Sequence, residues 1–198
     1  MKKCLHDLYN HYFYKNRVLI ILLFISIGMG LILSDDYGMS WDEPKDIING
    51  QESLKAYYDT PNFQITNPAG PTGPFSFMVT DIGSRLFTIL FPHWLPIDGR
   101  HFTYFIIFLV GAASLYSICK RLVNRASSEI ITILYITQPL FWGHAFINPK
   151  DIPFMSFFMA TIALGIAMVD EFLETRPKPS VDKRIISSTQ VRLQIKHQ

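Results

Sequence analysis

Nearly unbroken apolar stretches at 18–33, 102–119, 130–146 and 152–169 alternate with polar segments. Blocks of this kind predict helices in a membrane, because ~20 mostly apolar residues are needed to cross a bilayer and a soluble domain would spread the same residues around one core. A fifth stretch, 75–91, is apolar but patterned. Thr80, Asp81, Ser84, Arg85 and Thr88 recur on one helical face, with Asp81 and Arg85 set for an i,i+4 pair, while Phe77, Met78, Ile82, Leu86, Phe87, Ile89 and Leu90 cover the rest. Such a helix is expected in the membrane interface rather than across it. Between the first apolar stretch and this one, Ser40 and Glu43 make a capping-box pattern that predicts a helix from Trp41 to about Tyr58, stopped by Thr60-Pro61. Asn67-Pro68-Ala69-Gly70-Pro71-Thr72-Gly73-Pro74 reads as a rigid connector.

Charge orients these segments. With the N-terminus inside, thirteen of the 18 Lys and Arg fall on the inner side, at positions 2–17, 120–125 and 176–196. Lys45, Lys55, Arg85, Arg100 and Lys150 fall outside among ten acidic residues. The basic residues before residue 18 suit a signal peptide, but Gly30-Leu31-Ile32-Leu33-Ser34 lacks a small-x-small cleavage pattern, so the run reads as an uncleaved anchor. The expected fold is an all-α integral membrane protein with about four transmembrane helices and a long outer loop, 35–101, containing interfacial helices. A second outer loop spans 147–151. Residues 1–17 and a polar tail, 175–198, are cytoplasmic, and 18–174 form the membrane module.

Composition agrees, with 49% hydrophobic and 17% charged residues gathered in blocks. A net charge of +2 without basic–aromatic runs argues against nucleic acid as a partner. Cys4 and Cys119 lie on the inner side and outside any metal-type spacing, so they read as ordinary thiols.

The chemistry gathers in the outer loops. Asp42 and Glu43 serve a helix start, Glu43 by closing the capping box and Asp42 by sitting at the positive end of the macrodipole. A carboxylate held there also suits a general base, if burial tunes it. In Asn148-Pro149-Lys150-Asp151-Ile152-Pro153, turn chemistry accounts for both prolines, with Asp151 as the cap of the last span. It leaves unexplained why His144, Lys150 and Asp151 crowd one short loop; together they suit a phosphate or a divalent cation. Arg100 and His101 head the second span on the same side, and a guanidinium fork matches phosphate oxygens, although an interfacial Arg also snorkels. This topology predicts Asp42, Arg100 and Asp151 around one cavity.

Trp41-Asp42-Glu43-Pro44 after a first span, Arg100 at the head of the second, and His144 with Phe146-Ile147-Asn148-Pro149-Lys150-Asp151-Ile152-Pro153-Phe154 resemble the N-terminal part of GT-C type integral-membrane glycosyltransferases. The likeness is to the phospholipid-carrier-dependent enzymes of glycosyltransferase family 39, which include the protein mannosyltransferases, and it covers roughly residues 17–174. It implies inverting transfer of a sugar from a polyprenyl-phosphate donor to a glycan, lipid or protein acceptor on the outer face of a bacterial inner membrane. Asp42 and Glu43 match the family's catalytic acidic motif. Arg100 and Lys150 are then donor-phosphate ligands, Asp151 a second acid orienting a cation or the acceptor, and His101, His144 and Asn148 auxiliary. The resemblance fixes no cofactor; a divalent cation, with Asp42 and Asp151 as its candidate ligands, is compatible. Family members carry more spans, so the resemblance implies a part of a larger enzyme or a truncated form. The alternative is a non-catalytic membrane subunit or small transport component, although Glu129 and Asp170 lie at inner ends rather than at the midplane expected of a coupling site.

Overall fold

The computed structural model describes residues 16–58 and 73–175. The basic stretch before Asn16, most of the Pro/Gly connector and the polar tail lie outside the described residues. Among the described residues seven α-helices follow in order: α1 (Arg17–Leu33), α2 (Glu43–Tyr58), α3 (Phe75–Leu90), α4 (Pro96–Leu122), α5 (Arg125–Thr137), α6 (Pro139–Ile147) and α7 (Asp151–Thr175). No strand occurs among the described residues. Contacts divide the chain within α7, into residues 1–164 and 165–198; all packing and every site below belongs to the first unit. The described part of the second is the end of α7, where Met168, Val169, Phe172 and Leu173 are exposed.

The hub is α4, on which α1, α3, α5 and α6 all pack. Its start is set by Pro96 in the first turn and by Asp98, whose carboxylate accepts the Leu95 N–H at 2.7 Å, the return half of a capping box. Lys120 and Arg121 favour the negative end of its dipole. Phe102, Phe105, Phe108, Leu109 and Ala112 form the core with Tyr135 and Ile136 of α5, Ala145 and Phe146 of α6 and Ile152 of α7. Aromatic rings order this core: Phe105 stacks on Phe146 at 4.6 Å and Phe108 on Tyr135 at 5.0 Å. Gly50 lets α2 meet α3, since a Cβ there would lie 2.6 Å from the Phe77 carbonyl oxygen.

Two helices, α4 and α7, are long and apolar enough to cross a membrane. With 27 and 25 residues, at ~1.5 Å per residue, both exceed a hydrocarbon core of ~30 Å. The expected continuous span at 130–146 is corrected: α5 and α6 meet at a 58° bend and make a third crossing only if counted together. Pro139 is the cause. It has no N–H to return to the preceding turn and forces Gln138 out of the helical region, to ψ 116°. α1 is apolar but shorter, at 17 residues.

The pattern of α3 is inverted relative to a soluble helix. Thr80, Asp81 and Ser84 are buried with Phe77, whereas Ile82, Leu86, Ile89 and Leu90 are exposed. Most of the polar stripe therefore packs on protein, with Arg85 exposed at its edge, and the apolar stripe looks outward, the arrangement hydrocarbon surroundings favour.

Candidate functional site

The Ser40-Glu43 pattern builds the start of α2 as expected, with the Ser40 N–H donating to Glu43 Oε2, although the helix begins at Glu43 rather than Trp41. Glu43 does more than cap. It is fully buried, and its Oε1 lies 2.9 Å from His101 Nε2, while His101 Nδ1 lies 3.3 Å from the Ser34 carbonyl. His101 thus bridges Glu43 and the Ser34 carbonyl and ties the ends of α1 and α2 to α4. Neither side chain reaches a surface, so Glu43, expected as catalytic, and His101, expected as auxiliary, are both found facing protein.

Asp42 differs from its neighbour. Its side chain is 62% exposed and accepts a hydrogen bond from Lys150 Nζ at 3.1 Å. Asp42 is therefore not buried, contrary to expectation. Lys150 also faces Asp46 at 3.6 Å, one turn further along α2, where the carboxylate is 2% exposed. Burial, reinforced by the charge of Asp42, holds the Asp46 carboxyl above its usual range against the pull of Lys150 and Lys45. Partial desolvation works against the Lys150 ammonium, but its bonds and charges shared with Asp42 and Asp46 outweigh this and raise its pKa.

Asn148 organises the second loop. Its Oδ1 accepts the amides of Lys150 and Asp151 at 3.1 and 2.9 Å, and its Nδ2 donates to Asp151 Oδ2 at 3.0 Å and lies 3.5 Å from His144 Nδ1. Asn148, not Asp151, therefore caps α7. His144, Asn148 and Asp151 do come together, but as an exposed turn.

Arg100 goes elsewhere. Its Nη2 donates to Asp81 Oδ1 at 3.0 Å and its Nη1 to Thr80 Oγ1 at 3.1 Å, within the buried polar stripe of α3. The expected Asp81–Arg85 pair is present at 2.9 Å on the other carboxylate oxygen. Bound in this way, the Arg100 guanidinium is engaged by Asp81 and Thr80 inside the protein. Arg100 and Asp151, expected around one cavity with Asp42, line different ones among the described residues. Arg100, Asp81 and Arg85 line a cleft of about 800 Å³ with residues of α2, whereas Lys150 and Asp151 line a separate groove of about 560 Å³ between α3 and α7.

A metal fits poorly. Among the described residues no group of three or more His, Cys, Asp or Glu side chains is close enough to hold an ion. Asp42 pairs with the Lys150 ammonium and Asp151 with Asn148, so the candidate ligands are directed at protein donors.

Sequence reasoning missed Asp46 and the partners of Arg100. The first had a signal: Glu43, Asp46 and Asn49 recur every three residues, and all are buried, so the face of α2 that meets the protein is polar. Compared with models of known families, with characterised proteins and with solved structures, the chain matches none.

Proposed function

We propose that this chain is all or part of a lipid-linked sugar transferase of the GT-C type, moving a sugar from a polyprenyl-phosphate donor to an acceptor at the outer membrane face. One observation carries the reading. The two segments on which the resemblance rests, 41–44 and 144–154, meet through the Asp42–Lys150 contact although the two residues are 108 apart in sequence. In this reading α1 and the bent α5–α6 pair cross the membrane with α4 and α7, and the excess of Lys and Arg on one side supports an outer position for α2.

The chemistry asks little of the site. Asp42 accepts the proton of the acceptor hydroxyl as its oxygen bonds to the anomeric carbon from the face opposite the leaving group. The carbon–oxygen bond to the lipid phosphate breaks with its electron pair, and Lys150, freed as Asp42 takes the proton, meets the departing anion. Glu43 and His101 hold the start of α2 in place. Trp41, 97% exposed beside Asp42, offers an apolar face to a sugar ring.

The test is transfer from polyprenyl-phosphate-linked sugar by the full-length protein in membranes. Asp42→Asn is expected to lower turnover about 10²–10⁴-fold, the contribution of a general base, at normal expression, since Asn suits a helix start as well as Asp. Near-normal transfer by this variant, or none by the wild type, overturns the reading. The second reading, a non-catalytic subunit, is favoured by the engagement of Arg100 with Asp81, which leaves Lys150 as the sole expected phosphate ligand not buried in an ion pair.

A further inference from the structure

The groove between α3 and α7 joins two unlike surfaces. Phe75 and Phe77 of α3 and Phe154, Phe157 and Phe158 of α7 line its length, and Phe75 approaches Phe157 edge-on at 5.5 Å. Its mouth holds Lys150 and Asp151, a cation and an anion on adjacent residues. From Asp151 to Thr161, the groove's far end, α7 rises roughly 15 Å at ~1.5 Å per residue. That is half of a hydrocarbon core of ~30 Å, the depth of one leaflet.

We propose that this groove holds one membrane phospholipid with an ethanolamine head group, its acyl chain along the phenylalanines. The charges fit a zwitterion better than an anion. Lys150 has three N–H donors, and those directed at Asp42 and Asp46 leave a third for a phosphate oxygen. Its charge is already answered by two carboxylates, so a lipid bearing only negative charge meets an acidic surround. Asp151, with one oxygen accepting from Asn148, receives the ammonium of ethanolamine as a charge-assisted hydrogen bond. A quaternary choline has no N–H to donate there. The inference rests on the membrane setting of α7 and not on sugar transfer, with which it shares only Lys150.

The experiment is competition by native mass spectrometry. Purified full-length protein in detergent is offered equimolar phosphatidylethanolamine, phosphatidylcholine and phosphatidylglycerol with identical acyl chains and no sugar donor. The ethanolamine lipid is expected to be retained about tenfold over each of the others, the order of one hydrogen bond to a charged group. Asp151→Asn should erase the preference over choline, and Thr161→Trp, which fills the far end without touching the mouth, should lower retention of the ethanolamine lipid about tenfold. Equal retention of the three lipids by the wild type overturns the proposal, as does preference for phosphatidylglycerol, and neither result depends on a variant folding. Unchanged retention by Thr161→Trp, with wild-type helicity by circular dichroism, overturns it as well.

Discussion

Arg100–Asp81 and Lys150–Asp42 have nearly the same separation, 3.0 and 3.1 Å, and almost nothing else in common. The first pair is 3% and 4% exposed and joins α3 to α4; the second is 37% and 62% exposed and joins the start of α2 to the loop before α7. At ~4 Å two unit charges attract by ~1 kcal/mol in water and ~4 kcal/mol at an effective dielectric constant of ~20. The buried pair is therefore a fixture, and the exposed pair is one that surrounding water and ions can exchange. Distance alone does not tell a fixed ion pair from an exchangeable one; the surroundings do.

The largest effect is expected from Arg100→Met. It leaves the buried Asp81 with only the largely exposed Arg85 as a cationic partner and should destabilise the fold by ~3 kcal/mol, the low end for breaking a buried pair, read as a fall in melting temperature in detergent. Asp81→Leu in the same chain should restore much of the loss, and failure to do so would show that Arg100 acts through more than Asp81. His101→Ala ranks next. It removes a hydrogen bond to a buried acidic group and should cost ~1.5–3 kcal/mol, with greater proteolysis of α2 as a local readout.

Lys150→Met should cost no more than ~1 kcal/mol, screened away by salt. The wild-type Lys150 pKa is raised, so its contribution is complete below the ordinary value of 10.5 and is lost as pH rises through the higher one; the variant should lack that alkaline loss. A cost as large as that of Arg100→Met would erase the contrast between the two pairs. Asp46→Asn should have the smallest effect. Because the Asp46 pKa is raised, the native state holds a proton the unfolded chain has lost, and stability falls as pH climbs from 3.8 through the raised value. The Asn variant should flatten that part of the stability profile.

Local signals in the sequence were the legible ones. The Ser40–Glu43 pattern located the start of α2 within two residues, the apolar blocks located α4 and α7, and three- and four-residue spacing found the Asp81–Arg85 pair. What failed was long-range. Nothing near Arg100 in sequence announces Asp81, and without that partner a guanidinium at a helix start reads as a ligand for phosphate. The direction of α3 was equally hidden, because a period of 3.6 shows that polar and apolar faces exist but not which one meets protein when the surroundings are hydrocarbon. Pro139 was visible, and its effect on a helix is strong enough to have predicted the break between α5 and α6. For the site, the meeting of the two loops followed from the expected topology, whereas the different surroundings of Asp42 and Glu43 required knowing which of the two is buried.

The contact of His101 with Glu43 and the Ser34 carbonyl sets an order of events during biosynthesis. Its partners are 58 and 67 residues upstream. At ~5–20 residues per second, Glu43 leaves the ribosome roughly 3–12 s before His101 does. During that interval the start of α2 has its own cap but no anchor, and a carboxylate destined for the interior faces water. The acidic motif becomes fixed only when α4 arrives, so assembly of this end of the molecule waits on the insertion of its central helix.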